Sequence, residues 1–227
     1  MTDSHASKPS DTKTRILDVA EALFASNGFR QTSISRLARA AGVNLAAVNY
    51  HFGSKDALIR QVIERRLLPV HRLRVQRLEA VRETCTAQGL RPDVAELLRA
   101  FVEPSFSLTR GGDGGQRFLL IIGRVMAESD ESIRNIFIRS FKPSFMLFFS
   151  LMRKSLPGLP KNELFWRLHF VASALGHAMR VHGAAMPSSE LFPPKSDVDT
   201  VVRILMAFLT AGLKAPSHRE STACPPE

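Results

Sequence analysis

Three neighbouring polar side chains, Asn49, Tyr50 and His51, lie next to each other in the chain, and Lys55 follows four residues later. Their amide, hydroxyl, imidazole and ammonium groups can all donate hydrogen bonds to phosphate oxygens. A Tyr beside a His is also compatible with acid–base catalysis. An Asn on the outer face of a helix, however, can pair with adenine in the major groove. We therefore expect this segment to bind a nucleic acid.

The element that must position these side chains is a pair of short helices between residues 32 and 52. Thr32 is expected to cap the first helix, and Gly42 to end it with a positive φ. Asn44 is the expected cap of the second helix, which begins at once. Small residues let the two helices approach closely, namely Ala38, Ala40, Ala41, Ala46 and Ala47. This pattern predicts a helix-turn-helix.

The second helix is expected to bury Val48 and Phe52 and to present its other residues to the major groove. Phosphate contacts should supply most of the affinity, while base contacts set the register. The residues expected to contact DNA are Thr32, Ser35, Arg36, Leu45, Ala46, Ala47, Asn49, Tyr50, His51 and Lys55. Those expected to read bases are Ser35, Leu45, Ala46, Ala47 and Asn49, and only the Asn side chain offers bidentate hydrogen bonding.

The segment from residue 14 to residue 63 resembles the DNA-binding domain of the TetR family of transcriptional regulators. The matching features, in order, are LFASNGF, the T-S-I opening, the AGV turn, the YHF run and the S-K-D-A-L start of a long helix. The resemblance implies a homodimeric repressor that binds a palindromic DNA operator. This chain departs from many members at Ser35 and Leu45, where the family commonly places long polar side chains.

A second, shorter similarity concerns the effector. NLAAVNYHFGSK and LFWRLHF are similar to segments of the PsrA-type subgroup. The similarity implies release of the repressor by a long-chain fatty acid or acyl-CoA. Two alternatives stay open, a different apolar or aromatic effector in efflux or catabolic control, and a DNA-binding protein without a ligand. An enzyme is not expected, because the chain has no G-x-S-x-G, Walker loop or H-E-x-x-H motif.

The charge and the composition agree with binding to DNA. The formal net charge is +10, and residues 12 to 66 hold nine Lys or Arg against four Asp or Glu. A basic balance favours polyanions, although by itself it does not separate DNA from RNA or from an anionic membrane. We expect a cytoplasmic protein, because the chain shows neither a signal peptide nor a spanning segment. No cofactor or metal is expected, since Cys85 and Cys224 lack ligand spacing.

Helical periodicity without sustained alternation predicts an all-α chain of nine helices. A three-helix DNA-binding domain containing the helix-turn-helix is expected at residues 11–53, followed by a helical ligand-binding and dimerisation domain at residues 54–214. Residues 1–10 and 215–227 are rich in Ser, Pro and charge, which predicts disordered tails. The helices expected after residue 53 lie near 54–86, 92–109, 115–128, 130–154, 160–184 and 197–213.

Eight of the fifteen Phe residues lie between residues 101 and 149. Several of them follow helical spacing, and Pro143 in the middle of that helix is expected to bend it. A bent helix lined by Phe can leave a cavity for an apolar ligand, whereas an ordinary aromatic core is the more common outcome for such a stripe. The residues expected to contact the ligand are Phe101, Phe118, Arg124, Phe141, Phe145 and Phe148.

Polar groups that could orient a ligand are fewer. Arg124 could meet a carboxylate or phosphate, but a solvated pair with Glu128 explains it equally well. His169 and His177 lie on one helical stripe about 12 Å apart, too far to share a metal ion. We expect this stripe at a pocket wall or a dimer interface, and Trp166 in the core.

The last two helices are the expected dimer interface. Two helix-turn-helix units must be held a helical turn or more apart to read a palindrome. These helices should therefore form a four-helix interface across a two-fold axis. The alternative is that their apolar residues only cover the core of their own domain. The apolar seam predicted for the final helix is Val201, Val202, Leu205, Leu209 and Leu213.

Overall fold

The structure is a computed structural model that describes residues 9–108, 112–127, 131–183 and 197–217. Over these ranges the chain forms nine α-helices and one short 3-10 helix and contains no β-strand, which confirms the all-α prediction. No helix in them is long and apolar enough to cross a membrane. The helices are α1 (Pro9–Asn27), α2 (Ile34–Ala40), α3 (Leu45–Phe52), α4 (Lys55–Gln88), α5 (Val94–Val102), the 3-10 helix (Glu103–Ser107), α6 (Gly112–Ala127), α7 (Glu131–Ser155), α8 (Lys161–Gly183) and α9 (Val198–Lys214).

The first residue of the helix-turn-helix differs from the prediction. Ser33, not Thr32, caps α2, because its Oγ accepts a hydrogen bond from the backbone N–H of Arg36 at 3.1 Å. Thr32 is 1 % exposed, and its hydroxyl donates to the carbonyl of Gly28 at 2.8 Å. Its side chain therefore ties α2 to the end of α1. The Thr32 hydroxyl is thus bonded inside the domain, while contact between Thr32 and DNA stays a prediction.

Helix α4 connects the first three helices, α1 to α3, which include the helix-turn-helix, to the rest of the molecule. Only Gly53 and Ser54 separate it from α3, and Ser54 Oγ caps it by accepting a hydrogen bond from the backbone N–H of Ala57. The helix has 34 residues and is therefore about 50 Å long. It packs on α1, α5 and α7. Pro69 lies inside the helix without ending it.

The inner end of each predicted tail belongs to the described structure. Pro9 and Ser10 already belong to α1. Residues 215–217 lie against α8, where Arg167 donates hydrogen bonds to the carbonyls of Ala215 at 2.7 Å and Pro216 at 2.8 Å. The remaining residues of both tails lie outside the described ranges.

A buried carboxylate holds α1 against α4. Glu21 is 1 % exposed and accepts hydrogen bonds from Arg65 at 2.7 Å and from Arg66 at 2.8 Å. Arg65 also pairs with the exposed Asp18 at 2.7 Å. Burial opposes the charge of Arg65, but its hydrogen bonds with the two carboxylates outweigh this effect and raise its pKa. We call these four side chains the α1–α4 joint.

The start of α6 comes close to the same joint. A Cβ on Gly115 would lie 1.8 Å from the carbonyl oxygen of Leu108, so the backbone there leaves room only for glycine. A Cβ on Gly114 would lie 2.3 Å from a terminal nitrogen of Arg66. Helix α6 also packs on α1. Gly114 therefore lets the start of α6 lie against Arg66 of the joint, and Gly115 lets it lie against the backbone of Leu108.

Replacing Glu21 with Gln is expected to lower the free energy of unfolding by about 3 kcal/mol, because two partly buried guanidinium groups lose their shared counter-charge. Urea unfolding followed by circular dichroism at neutral pH measures the loss. Asp18→Asn is the matched control and should lose less than about 1 kcal/mol, since that carboxylate is exposed. Equal losses in the two variants would contradict the central position of Glu21.

Candidate functional site

The turn between α2 and α3 has the geometry that its sequence predicts. Gly42 has a φ of +63°, which reverses the chain at low cost for a residue without a side chain. The N–H of Val43 donates to the carbonyl of Ala38 at 3.0 Å. Asn44 caps α3, because its Oδ1 accepts a hydrogen bond from the backbone N–H of Ala47 at 2.7 Å. These contacts fix the direction in which α3 leaves the turn.

Helix α3 has one buried face and one accessible face. Val48 and Phe52 are 1 % and 6 % exposed and pack into the domain, as predicted. On the opposite side Tyr50 is 86 % exposed and Leu45 is 46 % exposed. Nine of the ten residues predicted to contact DNA are accessible, and Thr32 is the exception. Ser35, Arg36, Leu45, Ala46, Asn49 and Tyr50 are exposed, while Ala47, His51 and Lys55 are half-buried.

The structure divides the basic residues of this unit into two groups. Arg65 and Arg66 belong to the α1–α4 joint and are neutralised by its two carboxylates. Removing these two cations and two anions leaves the excess of five positive charges over residues 12–66 unchanged. Arg36 and Arg39 are exposed on α2 beside the accessible face of α3. The surface around that face is therefore basic, which attracts a polyanion.

A helix-turn-helix with an exposed second helix and a basic surround defines a DNA-binding regulator built on an all-α scaffold. Residues 16–62 match the family described as "Bacterial regulatory proteins, tetR family". Residues 99–212 match the "Tetracyclin repressor-like, C-terminal domain". The chain therefore belongs to the TetR family, whose members are transcriptional regulators rather than enzymes.

Individual relatives share mainly the DNA-binding unit in sequence and the whole fold in structure. The transcriptional regulator UidR of Escherichia coli K12 is 33 % identical over 63 residues, which cover 28 % of this chain and 32 % of UidR. The match thus spans about a third of that relative. NalD of Pseudomonas aeruginosa is 22 % identical, with a TM-score of 0.60 over 88 % of this chain and 97 % of NalD. FadR of Bacillus halodurans is 17 % identical, with a TM-score of 0.62 over 94 % of this chain and all of FadR.

Four of the five Phe residues predicted to contact a ligand pack against one another in an aromatic group. Phe101 of α5 stacks on Phe148 of α7 with ring centroids 4.2 Å apart, and both are fully buried. Phe141 is half-buried and packs edge-on against Phe101 at 6.0 Å and beside Phe145 at 5.5 Å. Phe118 of α6 is fully buried. In the described residues these rings pack against other side chains and do not line an open, bent channel.

Two hollows lined by described residues lie elsewhere. An open groove of about 720 Å³ separates α5 from α9 and includes the charged residues Arg99, Glu103 and Lys214. A smaller hollow of about 240 Å³ lies at the turn between α7 and α8. None of the six residues predicted to contact a ligand lines either one. The candidate effector site predicted from the sequence is thus the aromatic group and neither of the two hollows. The structure adds two polar residues to that group.

Two polar residues enclosed by the aromatic group were missed in the sequence analysis. Arg74 on α4 is 5 % exposed, and its Nε donates to the carbonyl of Phe101 at 2.9 Å while a terminal nitrogen donates to Ser105 Oγ. One turn earlier, His71 is 7 % exposed, with its Nδ1 3.0 Å from Ser144 Oγ. The available signal was their position on the buried stripe of α4, formed otherwise by Leu67, Val70 and Leu78.

The surroundings shift the pKa values of both residues. Burial lowers the pKa of Arg74 to about 10, so the guanidinium still carries its charge at neutral pH. Burial and the charge of Arg74 lower the pKa of His71 to about 4, so the imidazole is neutral. Arg124, the cation predicted for this role, lies on α6, but its side chain is outside the described residues. Arg74, unlike Arg124, is therefore a cation whose contacts with the aromatic core are described.

The apolar seam predicted for α9 is wrong in part. Leu205, Leu209 and Leu213 are buried in their own domain, at 9 %, 4 % and 2 % exposed. Ile204 and Phe208, which precede two of them, are 64 % and 71 % exposed. Two adjacent stripes of α9 are therefore apolar, and the stripe that was not predicted faces outwards. Val201 and Val202 of the predicted seam are half-buried.

Helix α8 also exposes aromatic side chains. Trp166, predicted to lie in the core, is 63 % exposed, and Phe170 is 62 % exposed. Their rings are 6.1 Å apart. His169 is exposed beside them, with its Nδ1 3.0 Å from the carbonyl of Phe165. We call Trp166, Phe170, Ile204 and Phe208 the exposed apolar set of α8 and α9.

Proposed function

We propose that this protein is a cytoplasmic repressor that binds a palindromic operator as a homodimer and is released by an apolar effector, a long-chain fatty acid or its acyl thioester. The observation that carries the proposal is the accessible face of α3, with Leu45, Asn49 and Tyr50 exposed above a buried face. Residues 11–53 would form the DNA-binding domain. Residues 54–214 would bind the effector and the second copy.

In this proposal α3 enters the major groove and its flanks contact the sugar–phosphate backbone. Tyr50 is almost fully exposed, so its hydroxyl can donate to a phosphate without a change in the fold. Lys55 stands at the first turn of α4, where it can contact the same strand. Asn49 and Leu45 would meet base edges, the first by hydrogen bonds and the second through thymine methyl groups.

Lys55→Ala and Tyr50→Phe are expected to weaken binding to specific and non-specific DNA alike, because both remove contacts to phosphate. The lysine variant should also reduce the slope of log K against log salt by about one unit. Fluorescence anisotropy titrations at several salt concentrations measure both effects on an operator obtained by selection from a random pool. Lys161→Ala, at the start of α8, removes the same charge away from α3 and should leave the slope unchanged.

An Asn49→Ala variant separates base reading from phosphate contact in the same assay. Its affinity should fall for the selected operator and stay nearly constant for random DNA, because a base contact contributes only to discrimination. An unchanged operator affinity in all three variants would show that α3 does not dock as proposed.

The exposed apolar set of α8 and α9 is the proposed dimer surface. All four of its members are aromatic or large aliphatic side chains that are more than 60 % exposed. Aromatic residues are enriched in the centre of protein interfaces, and an exposed group of this kind commonly marks one. Arg167, in the second turn of α8, donates hydrogen bonds to the carbonyls of Leu213 and Ala215 at the end of α9. These hydrogen bonds hold the two helices together. A second copy would cover this pair of helices by two-fold symmetry.

Phe208→Glu is expected to convert the dimer into a monomer, because two carboxylates would be brought into a desolvated interface. Light scattering after size exclusion gives the mass, and the monomer should lose specific operator affinity while non-specific binding remains. Leu90→Glu is the control, since that leucine is 63 % exposed outside both helices and should leave the mass unchanged. A dimeric Phe208→Glu protein would place the interface elsewhere.

The effector is proposed to bind in the aromatic group around α5 and α7. The B. halodurans protein of similar fold is described as a fatty acid degradation regulator, which supports an acyl ligand. A ligand shifts the DNA-bound state only by the difference in its affinity for the two conformations. A hundredfold release needs about 2.8 kcal/mol, which three or four methylenes at about 0.8 kcal/mol each can supply.

Helix α4 is the proposed path from the effector to DNA. Its residues Arg65 and Arg66 hold α1, while Arg74 contacts Phe101 about two turns later. A movement of α7 or α5 around a ligand would therefore act on the same rigid helix that carries Lys55. Rotation of that helix in both copies would change the spacing of the two recognition helices.

Release from the operator is expected to increase with acyl chain length, because each added methylene contributes apolar contact. Gel-shift titrations with acids of increasing length measure the release. Phe141→Ala, which removes a half-buried ring from the site, should reduce the response to long chains, whereas Leu90→Ala, at an exposed leucine after α4, should not. Equal release by short and long chains would favour a compact effector. NalD, for comparison, is described as a repressor of a multidrug efflux pump.

A further inference from the structure

Arg74 is a buried cation that has no counter-ion among the described residues. Its side chain is 5 % exposed, and no carboxylate of the described residues lies within ion-pair distance of it. The guanidinium carbon lies 4.4 Å from the centre of the Phe101 ring and 5.6 Å from that of Phe141. Its hydrogen bonds go to neutral acceptors, the Phe101 carbonyl and the Ser105 hydroxyl. A nearby anion would strongly stabilise a buried positive charge in such surroundings.

The hydrogen bonds leave one nitrogen of each side chain unused. Nε and one terminal nitrogen of Arg74 are engaged, while the second terminal nitrogen has no acceptor among the described residues. His71 Nε2 is buried without a hydrogen-bond partner. The Ser144 hydroxyl donates to the carbonyl of Phe141 at 3.1 Å, so Nδ1 of the neutral imidazole carries the proton and donates to Ser144 Oγ, and Nε2 is an acceptor. Both side chains lie against the Phe141 ring, His71 at 6.0 Å and Arg74 at 5.6 Å.

We propose that Arg74 binds the carboxylate of an effector that is a free carboxylic acid with an apolar body. Its guanidinium lies against the ring of Phe141, so its unused terminal nitrogen can donate to one small anion bound there. Phe101 and Phe148 lie next to the guanidinium and offer apolar contact to the carbon chain. A carboxylate matches a guanidinium in shape and charge.

The inference rests on the proposed release by an acyl effector and narrows the class of ligand. An acid and its CoA thioester share the carbon chain but differ at the carbonyl end. The acid carries a compact negative charge there, whereas the thioester carbonyl is neutral and joined to a large group that the enclosed site around Arg74 cannot accept. The free acid is therefore the expected effector, and the thioester should bind more weakly.

Arg74→Met is the decisive variant because it removes the charge and keeps the apolar stem. Replacing a buried unpaired charge with an apolar side chain of similar length is often neutral or stabilising, so this protein should fold with a melting temperature no lower than that of the wild type. Arg74→Lys keeps a charge but lacks the planar fork. Arg77→Met, one turn away, is the control, since its partly exposed guanidinium already pairs with Glu103.

Calorimetric titration with dodecanoate, dodecan-1-ol and dodecanoyl-CoA tests the assignment. Wild type should bind dodecanoate at least tenfold more tightly than the other two. Arg74→Met should lose at least tenfold for dodecanoate with little change for the alcohol, Arg74→Lys should lose less, and Arg77→Met should match the wild type. Should Arg74→Met fail to fold, Ser105→Ala provides the second variant, because it removes the hydroxyl that orients the guanidinium and should weaken binding of the acid only.

The outcomes separate this inference from the proposed function. If acid, alcohol and thioester release the operator equally, in wild type and in Arg74→Met, the acyl effector stands and the carboxylate site is overturned. If no acyl compound binds or releases the operator, both fail. If sodium chloride alone raises the melting temperature of wild type, and not of Arg74→Met, as much as dodecanoate does, the site holds an inorganic counter-ion and the inference is likewise overturned.

Discussion

The buried ion pair between Glu21 and the two arginines of α4 is the constraint on which the arrangement of the molecule depends. It fixes α1, and through α1 the helix-turn-helix, to a helix that continues into the larger domain. An unpaired buried carboxylate would strongly destabilise the fold. Glu21 must therefore stay paired with the arginines of α4, so α1 cannot slide freely along that helix. Gly114 at the start of α6 then lets a third helix approach the same charges. The orientation of the DNA-binding unit is thus set electrostatically and sterically at one place.

The same long helix places Arg74 and His71, the polar pair of the proposed effector site, about two turns beyond that joint. Arg74 and Arg66 are eight residues apart, which is about 12 Å along the helix. A change in the packing around Arg74 therefore needs no separate relay to reach the DNA-binding unit. Rigid helices transmit small displacements over such distances because their backbone hydrogen bonds keep their length constant. The aromatic rings of α5 and α7 contribute the packing that a ligand would disturb.

Local physical chemistry explains which features could be predicted from the sequence. The Asn44 cap, the positive φ of Gly42 and the buried Val48 depend on neighbouring residues, and all were predicted. Thr32 and Ser33 can both cap a helix, so the sequence alone did not choose between them. On α9, Leu205 and Phe208 belong to adjacent apolar stripes, and only the packing of α5 and α8 decides which one is internal. Arg74 was missed because an arginine on a long helix usually lies in solvent, and its burial depends on residues far along the chain.

The α1–α4 joint also limits how freely the helix-turn-helix of this protein can be exchanged for that of a relative. A chimera that carries the helix-turn-helix of a relative must also supply an acid at position 21, because Arg65 and Arg66 remain with the recipient body. A larger residue at position 114 would have to displace the terminal nitrogen of Arg66, which occupies the space of its side chain. A new operator specificity is therefore best introduced by changing α2 and α3 alone. Helix α1 should be kept, because it belongs to the part of the protein that is proposed to transmit effector binding.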